Sequence, residues 1–246
     1  MSQIRHQPEA PTRVRPLRHR GEIPQHRHDD HQIAFPASGV VTITTDAGTW
    51  VAPATRALWI PAGIAHAHRA YGRVELHLVG LPSTINPLRL DRPRVLTVPP
   101  LLRELIVAYT AQPDDDRPER RRLRAVLVDQ LRAAPEQPMF VPAPADPRLR
   151  QLCALLEADP ADDRPLAELA REVGAGERTL SRLFRSDTGM TFPQWRTQQR
   201  LCHALILLGD GMPVTTVAHR CGWSSASAFI DTFRRIFGTT PGAYRM

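Results

Sequence analysis

Two short runs carry side chains whose types and spacing could do chemistry. In "ERTLSRLFRS", residues 177–186, Leu180, Leu183 and Phe184 fall on one side of a helix, and Arg178, Ser181, Arg182 and Arg185 fall on the other. A helix with its back pinned and an Arg/Ser face free suits the DNA major groove. There a guanidinium donates twice to guanine or grips phosphate, and the first turns approach base edges. The second run, "QHRH" at 25–28, sets His26 and His28 two apart. Side chains alternate along a strand, so both rings share one face. Neutral imidazoles that converge are ligands for divalent transition metals such as Zn, Ni, Fe or Mn.

The arginine-faced helix needs a support, and the sequence supplies one twice. Before it, Leu166, Ala167, Leu169 and Ala170 mark one face of a short helix, and Gly174 to Gly176 provide a turn. The layout returns with Val214, Val217 and Ala218, a turn at Gly222, and a helix over 225–237 anchored by Phe229, Phe233 and Phe237. An apolar, arginine-bearing helix ("FPQWRTQQRLCHALILLGDG") joins the two copies. The chain is read as all-helical over 146–246.

Upstream the texture is different. Residues 21–82 hold brief apolar or alternating runs ("IAFPAS", "VVTITT", "GTWVAP", "ALWIPAG", "VELHLVG") between glycine and proline breaks. This predicts a small antiparallel sandwich or barrel with Trp50 and Trp59 in its core. Residues 83–145 read as a helical connector ending in the linker "PEQPMFVPAPADP". Its stripes, Leu101, Leu102, Leu105 and Ile106, then Leu123, Val126, Leu127 and Leu131, must pack on the barrel or on a second copy of the chain. A homodimer through them is the expectation. Residues 1–20, with five arginines against one glutamate, read as a mobile basic arm. The fold class is α+β and multidomain.

All 32 basic residues of the 246 are arginine, and the net charge of +7 fits an anionic partner. Cys153, Cys202 and Cys221 form no close motif and read as buried free thiols, which fits a cytoplasmic setting. The sequence offers no acid/base or nucleophile motif, so no catalytic residue is assigned and no enzyme is expected.

"LSRLFRSDTGMTFPQWRTQQRLCHALILL" followed by "VTTVAHRCGWSSASAFIDTFRRIFGTTPGAYR" resembles the C-terminal domain of AraC/XylS-type transcriptional regulators over about 100 residues. The ending is most specific: Gly222-Trp223, Phe229, Phe233, Phe237-Gly238, Thr240-Pro241 and Tyr244-Arg245. The resemblance implies two helix-turn-helix units on a linking helix near 192–208, entering successive major-groove segments about 34 Å apart. It places Arg178, Ser181 and Arg182 against bases in the first unit, and Ala226, Ser227, Ala228 and Asp231 in the second. Gly176 stands where a serine N-cap is usual, and Asp231 repels phosphate. The first unit is therefore expected to dominate base readout. "IPQHRHDDHQIAFPASG" with "WIPAGIAHAH" resembles the two motifs of the cupin barrel: His26 and His28 its H-x-H pair, Gln32 its usual glutamate, and Pro61, Gly63 and His66 its P-x-G-x-x-H. The resemblance implies a site for a divalent metal or an organic effector at His26, His28, Gln32 and His66, with His31, His68 and His77 as alternative ligands or polar surface. Partners implied are double-stranded DNA, the effector, a second copy of the chain and RNA polymerase. A metal-dependent cupin enzyme fused to a nucleic-acid module and a general nucleoid protein are the alternatives.

Overall fold

The computed structural model describes residues 4–113, 115–137 and 139–244, with Tyr244 described by its backbone alone. Its contacts divide the chain into two units, residues 1–46 with 50–139 and residues 47–49 with 140–246. Among the described residues no helix is long and apolar enough to cross a membrane. The three cysteines are free and buried.

The first unit is β-rich. Its strands are β1 (Arg5–Gln7), β2 (Arg13–Leu17), β3 (Glu22–His28), β4 (His31–Pro36), β5 (Val40–Thr45), β6 (Gly48–Pro53, starting at the unit boundary), β7 (Arg56–Ile60), β8 (His66–Tyr71), β9 (Val74–Leu81) and β10 (Arg94–Thr97). Helices α1 (Pro100–Ala111) and α2 (Pro118–Ala133) and the short β11 (Glu136–Gln137) follow. One sheet runs β1-β3-β8-β5-β6 and the other β11-β10-β7-β4-β9-β2. The pairs β3–β8, β5–β8, β4–β7 and β4–β9 are antiparallel, whereas β1 lies parallel to β3.

Every residue of β4 is buried, because both of its faces are covered. Ile33 and Phe35 join Trp59, Val79 and Leu81 beneath Leu102, Ile106, Leu127 and Leu131 of the two helices. By alternation Gln32 lies on the opposite face, turned away from the helices. Trp59 is fully buried and Trp50 nearly so, both within the core.

Three expectations need correction here. The predicted mobile arm over 1–20 contains β1 and β2, the latter paired with β9 from Arg13 to Leu17. Between them the Ala10 N–H donates to Asp30 Oδ2 at 3.2 Å, and the Gly80 N–H to Thr12 Oγ1 at 3.0 Å. Backbone pairing of this kind overrides a charge-rich composition. The predicted helical connector includes β10, which pairs with β7 from Arg94 to Thr97. Finally, most of the predicted dimer stripes are used within the chain. Leu102, Ile106, Leu127 and Leu131 have no exposed surface, Leu105 and Leu123 pack against the same core, and only Leu101 and Val126 point outward, at 55% and 45% exposure.

The second unit holds β12 (Phe140–Pro142) and helices α3 (Pro147–Ala158), α4 (Leu166–Glu172), α5 (Glu177–Leu183), α6 (Phe192–Gly209), α7 (Val214–Arg220) and α8 (Ala226–Phe237), with a 3₁₀ turn at Pro241–Tyr244. Arg245 lies outside the described residues. Leu149, Leu152 and Leu156 of α3, Leu166 and Leu169 of α4, Leu180 of α5, Phe184, and Phe192 and Trp195 of α6 share one core. Thr191 and Gln194 close a reciprocal capping box at the start of α6, which fixes where this long helix begins.

Candidate functional site

The same local arrangement occurs twice in the second unit. Helices α4 and α7 each have seven residues, and each is followed by a glycine in the left-handed region, Gly174 at φ 64° and Gly222 at φ 75°. The next N–H in each case reaches five residues back: Ala175 to the Ala170 carbonyl at 2.9 Å, and Trp223 to the Ala218 carbonyl at 3.0 Å. This six-to-one bond is the Schellman closure, which stops a helix and turns the chain sharply. The second helix of each pair then starts, α5 from Gly176 without a side-chain cap and α8 from Ser225, whose Oγ accepts from the Ala228 N–H.

Helix α5 buries Leu180 and half-buries Leu183, while Arg178, Arg182 and Arg185 are exposed and Ser181 is partly so. Phe184 is buried in a short π-turn, Phe184–Thr188, that ends at the left-handed Gly189. Helix α8 buries Phe229, Phe233 and Phe237, with ring centroids 5.5 and 4.4 Å apart in succession. Ser227, Ala228 and Asp231 are exposed and Ala226 is half-buried. Each sequence-assigned residue thus lies away from its helix's core side. The α5 face offers guanidinium donors, whereas the α8 face is small with a single carboxylate.

One residue that the sequence alone does not single out ties the two pairs together. Arg200 of α6 donates from Nε to the Pro160 carbonyl at 2.9 Å, from Nη2 to Asp162 at 2.9 Å and from Nη1 to Gly222 at 3.0 Å. The first two carbonyls precede α4, and the third is the turn glycine of the second pair. A Cβ at Gly222 would lie 2.5 Å from Arg200 Nη2, so the glycine also makes room for the clamp. Gln199 Nε2 donates to Leu156 O at 3.1 Å, fastening α6 to α3. The available signal was polar Arg196, Gln199 and Arg200 at spacing i, i+3, i+4, one face of the helix ahead of its apolar C-terminal half.

In the first unit a histidine cluster forms on two hydrogen-bonded strands. His26 of β3 stands opposite His66 of β8, across a register irregularity between Ile23 and His26. His66 thus arrives on the neighbouring strand of the same sheet. His28 and His68 follow at two-residue spacing on the same faces, and all four are buried. Ring centroids lie 4.4 Å apart for His26–His66, 5.0 Å for His28–His66 and 5.1 Å for His66–His68. The turn before β8 is set by Gly63, at φ 81°, whose N–H donates to the His28 carbonyl at 2.8 Å.

The hydrogen bonds fix which ring nitrogens are available. Nδ1 of His26, His28 and His66 donates to the carbonyls of Pro24, Asp30 and Ile64 at 2.9, 2.7 and 2.8 Å. In a neutral ring the lone pair is then on Nε2, the tautomer that metal ligation uses. Nε2 of His28 and His66 and both nitrogens of His68 are buried without a hydrogen-bond partner among the described residues. Burial holds His66 neutral, its pKa pushed down to about 3, and lowers His26 and His68 as well. His26, His66 and His68 each bring one nitrogen within 4.8 Å of the other two. Around a tetrahedral zinc-like ion, nitrogens at about 2.1 Å are about 3.4 Å apart, so the rings need to draw together by no more than about 1.4 Å to close on it. These donors fit a borderline divalent ion.

The remaining candidates divide cleanly. His68 is 2% exposed and belongs to the cluster, not to polar surface. His31 accepts from the Ala62 N–H through Nδ1 and donates through Nε2 to the Ser83 carbonyl, so both nitrogens are spent. His77 is bonded to Thr110 Oγ1 at 2.6 Å and Glu75 Oε1 at 3.0 Å. Gln32 is fully buried on β4, and neither atom of its amide finds a partner among the described residues.

A model of the helix-turn-helix domain family matches residues 169–246. The chain is 34% identical over 226 residues to the HTH-type transcriptional regulator NimR of Escherichia coli (strain K12), covering 90% of this chain and 81% of that protein. Among solved structures it is similar to a transcriptional regulator with an AraC-type DNA-binding domain from Chromobacterium violaceum, at 30% identity and TM-score 0.38 over 40% of this chain and 89% of that one. It is also similar to the DNA-binding domain of AdpA in complex with a target DNA, at 35% identity and TM-score 0.38 over 41% of this chain and 91% of that one. The match to NimR spans most of both chains. This chain belongs to the AraC family of helix-turn-helix transcriptional regulators and is a DNA-binding protein.

Proposed function

We propose that both helix pairs are reading units, with α5 and α8 in successive major-groove segments, and that the β-rich unit is a cupin-like sensor that governs their binding to DNA. The observation that carries the first half is the repeated turn: two seven-residue helices end in the same glycine closure and present a second helix with an outward polar or small face. Arg178, Ser181 and Arg182 read bases and Arg185 grips phosphate, while Ala226, Ser227, Ala228 and Asp231 supply position, shape and at most one cytosine contact. The three carbonyls held by Arg200 keep the two helices at a constant spacing, which a bipartite site requires.

The histidine cluster supports the sensing half. His26, His66 and His68, with His28 beside them, would hold a divalent transition-metal ion, which would supply a fixed positive charge inside the barrel. An effector changes the DNA-binding equilibrium only through contacts that differ between the two states. Elemental analysis of the purified chain, with DNA affinity measured before and after chelation at fixed salt, tests this reading. Stoichiometric metal and a changed affinity are expected. A metal-free protein that gains neither stability nor altered DNA binding from added Zn²⁺, Ni²⁺, Fe²⁺ or Mn²⁺ leaves an organic effector as the signal.

A further inference from the structure

The N-terminal strands build a recess beside the histidines. β1 lies along β3 with Arg5 opposite His26, and β2 brings Arg13 and Arg15 alongside. The segment between them is seated closely: a Cβ on Gly80 would lie 2.1 Å from the Ala10 carbonyl oxygen. The result is a cleft of about 490 Å³ whose polar lining is Arg5, Gln7, Arg13, Arg15, Gln25 and His26. That volume falls within the roughly 300–1,000 Å³ of small-molecule sites.

The lining holds three guanidinium groups and no carboxylate. Among the described residues none of these arginines is in an ion pair, although the exposed arginines 69, 103, 117 and 132 each have one. Like charges that share a recess repel one another, and an anion placed between them removes that repulsion. The inner end of the cleft is His26, whose ring is 4.4 Å from that of His66, where a buried Nε2 has no partner among the described residues.

We propose that this cleft binds a small organic anion carrying a carboxylate or phosphate group, clasped by Arg5, Arg13 and Arg15 with His26 at its inner end. As the effector site of the first unit, the proposal rests on the sensor reading above. Planar guanidinium forks bind both kinds of oxyanion bidentately. A recess of this volume takes in a small molecule whole, whereas a DNA duplex could only lie across its mouth.

The test is calorimetric titration of the full chain with succinate, citrate and inorganic phosphate in separate arms, at constant ionic strength set by chloride. At least one probe is expected to bind saturably at one per chain, and the Arg13→Gln/Arg15→Gln double variant is expected to bind it at least tenfold more weakly. The carboxylate and phosphate arms show which group is preferred. Both arginines reach solvent, so the double variant is expected to keep wild-type DNA affinity without anion; Arg5→Gln, on a different strand, is the second variant. Absence of saturable binding in every arm, or equal binding by the variants, would overturn the site. So would a loss of DNA affinity in the double variant together with a shallower salt dependence, which would make these arginines phosphate contacts. Anion binding that leaves DNA affinity unchanged would retain the site and reject the sensor reading.

Discussion

Arg182 sits in the last turn of α5 with its side chain exposed, two positions beyond the buried Leu180 that pins the helix. Arg182→Ala is expected to weaken specific binding by about 1–3 kcal/mol and to relax selectivity at one base position. Equal losses on specific and random DNA would reduce it to a phosphate contact. Asp231→Ala, at the small face of α8, should change base preference in the second half-site or slightly tighten binding overall. A large uniform loss there would remove α8 from the groove. The histidines divide in the same residue-by-residue way. Alanine at His66 or His68 should abolish binding of a divalent ion as measured by elemental analysis. Alanine at His31 or His77 should leave metal content intact and lower the unfolding midpoint, because these rings serve the Ala62, Ser83, Thr110 and Glu75 contacts. His26, His28 and His66 were legible from their motifs. His68 repeats the two-residue spacing of His26 and His28, but its place became visible only once the β3–β8 register set the two histidine pairs side by side.

At the scale of elements, two glycines with nearly the same backbone angle separate strain from packing. Gly174 at φ 64° has no atom within 4 Å of an added Cβ, whereas at Gly222 the Arg200 guanidinium is in the way. Gly174→Ala is expected to cost about 1–2 kcal/mol, the ordinary penalty for a side chain in the left-handed region. Gly222→Ala should cost more in urea unfolding and should also weaken binding to a bipartite site, because Arg200 must release its hold on the turn. Equal effects of the two substitutions on both readouts would show that the clamp does not set the spacing. The helices were readable in the sequence because their apolar residues recur at helical spacing and their turns carry glycine. The strands β1, β2 and β10 were not, since "RHQ", "RVRPL" and "RVLT" owe their conformation to partners far away in sequence: His26 to His28, Val74 to Leu78, and Arg56 to Trp59. Charge suggested a mobile arm at residues 1–20, and long-range pairing holds part of it in the sheets.

At the scale of the molecule, the chain joins a β-rich unit with a buried histidine cluster to a helical unit that repeats one turn-and-helix device. The repetition was plain in the sequence, and so was the family. The clamp between the copies was not, because an arginine bonded to three backbone carbonyls leaves no motif. The central claim is that two recognition helices on one rigid spine read one asymmetric site, and selection of bound sequences from a random DNA library by the full chain tests it most directly. The account predicts a bipartite consensus with two elements centred about 10–10.5 base pairs apart, of which Arg182→Ala degrades only one. A consensus with a single element, or binding with no consensus that disappears uniformly with salt, would contradict it.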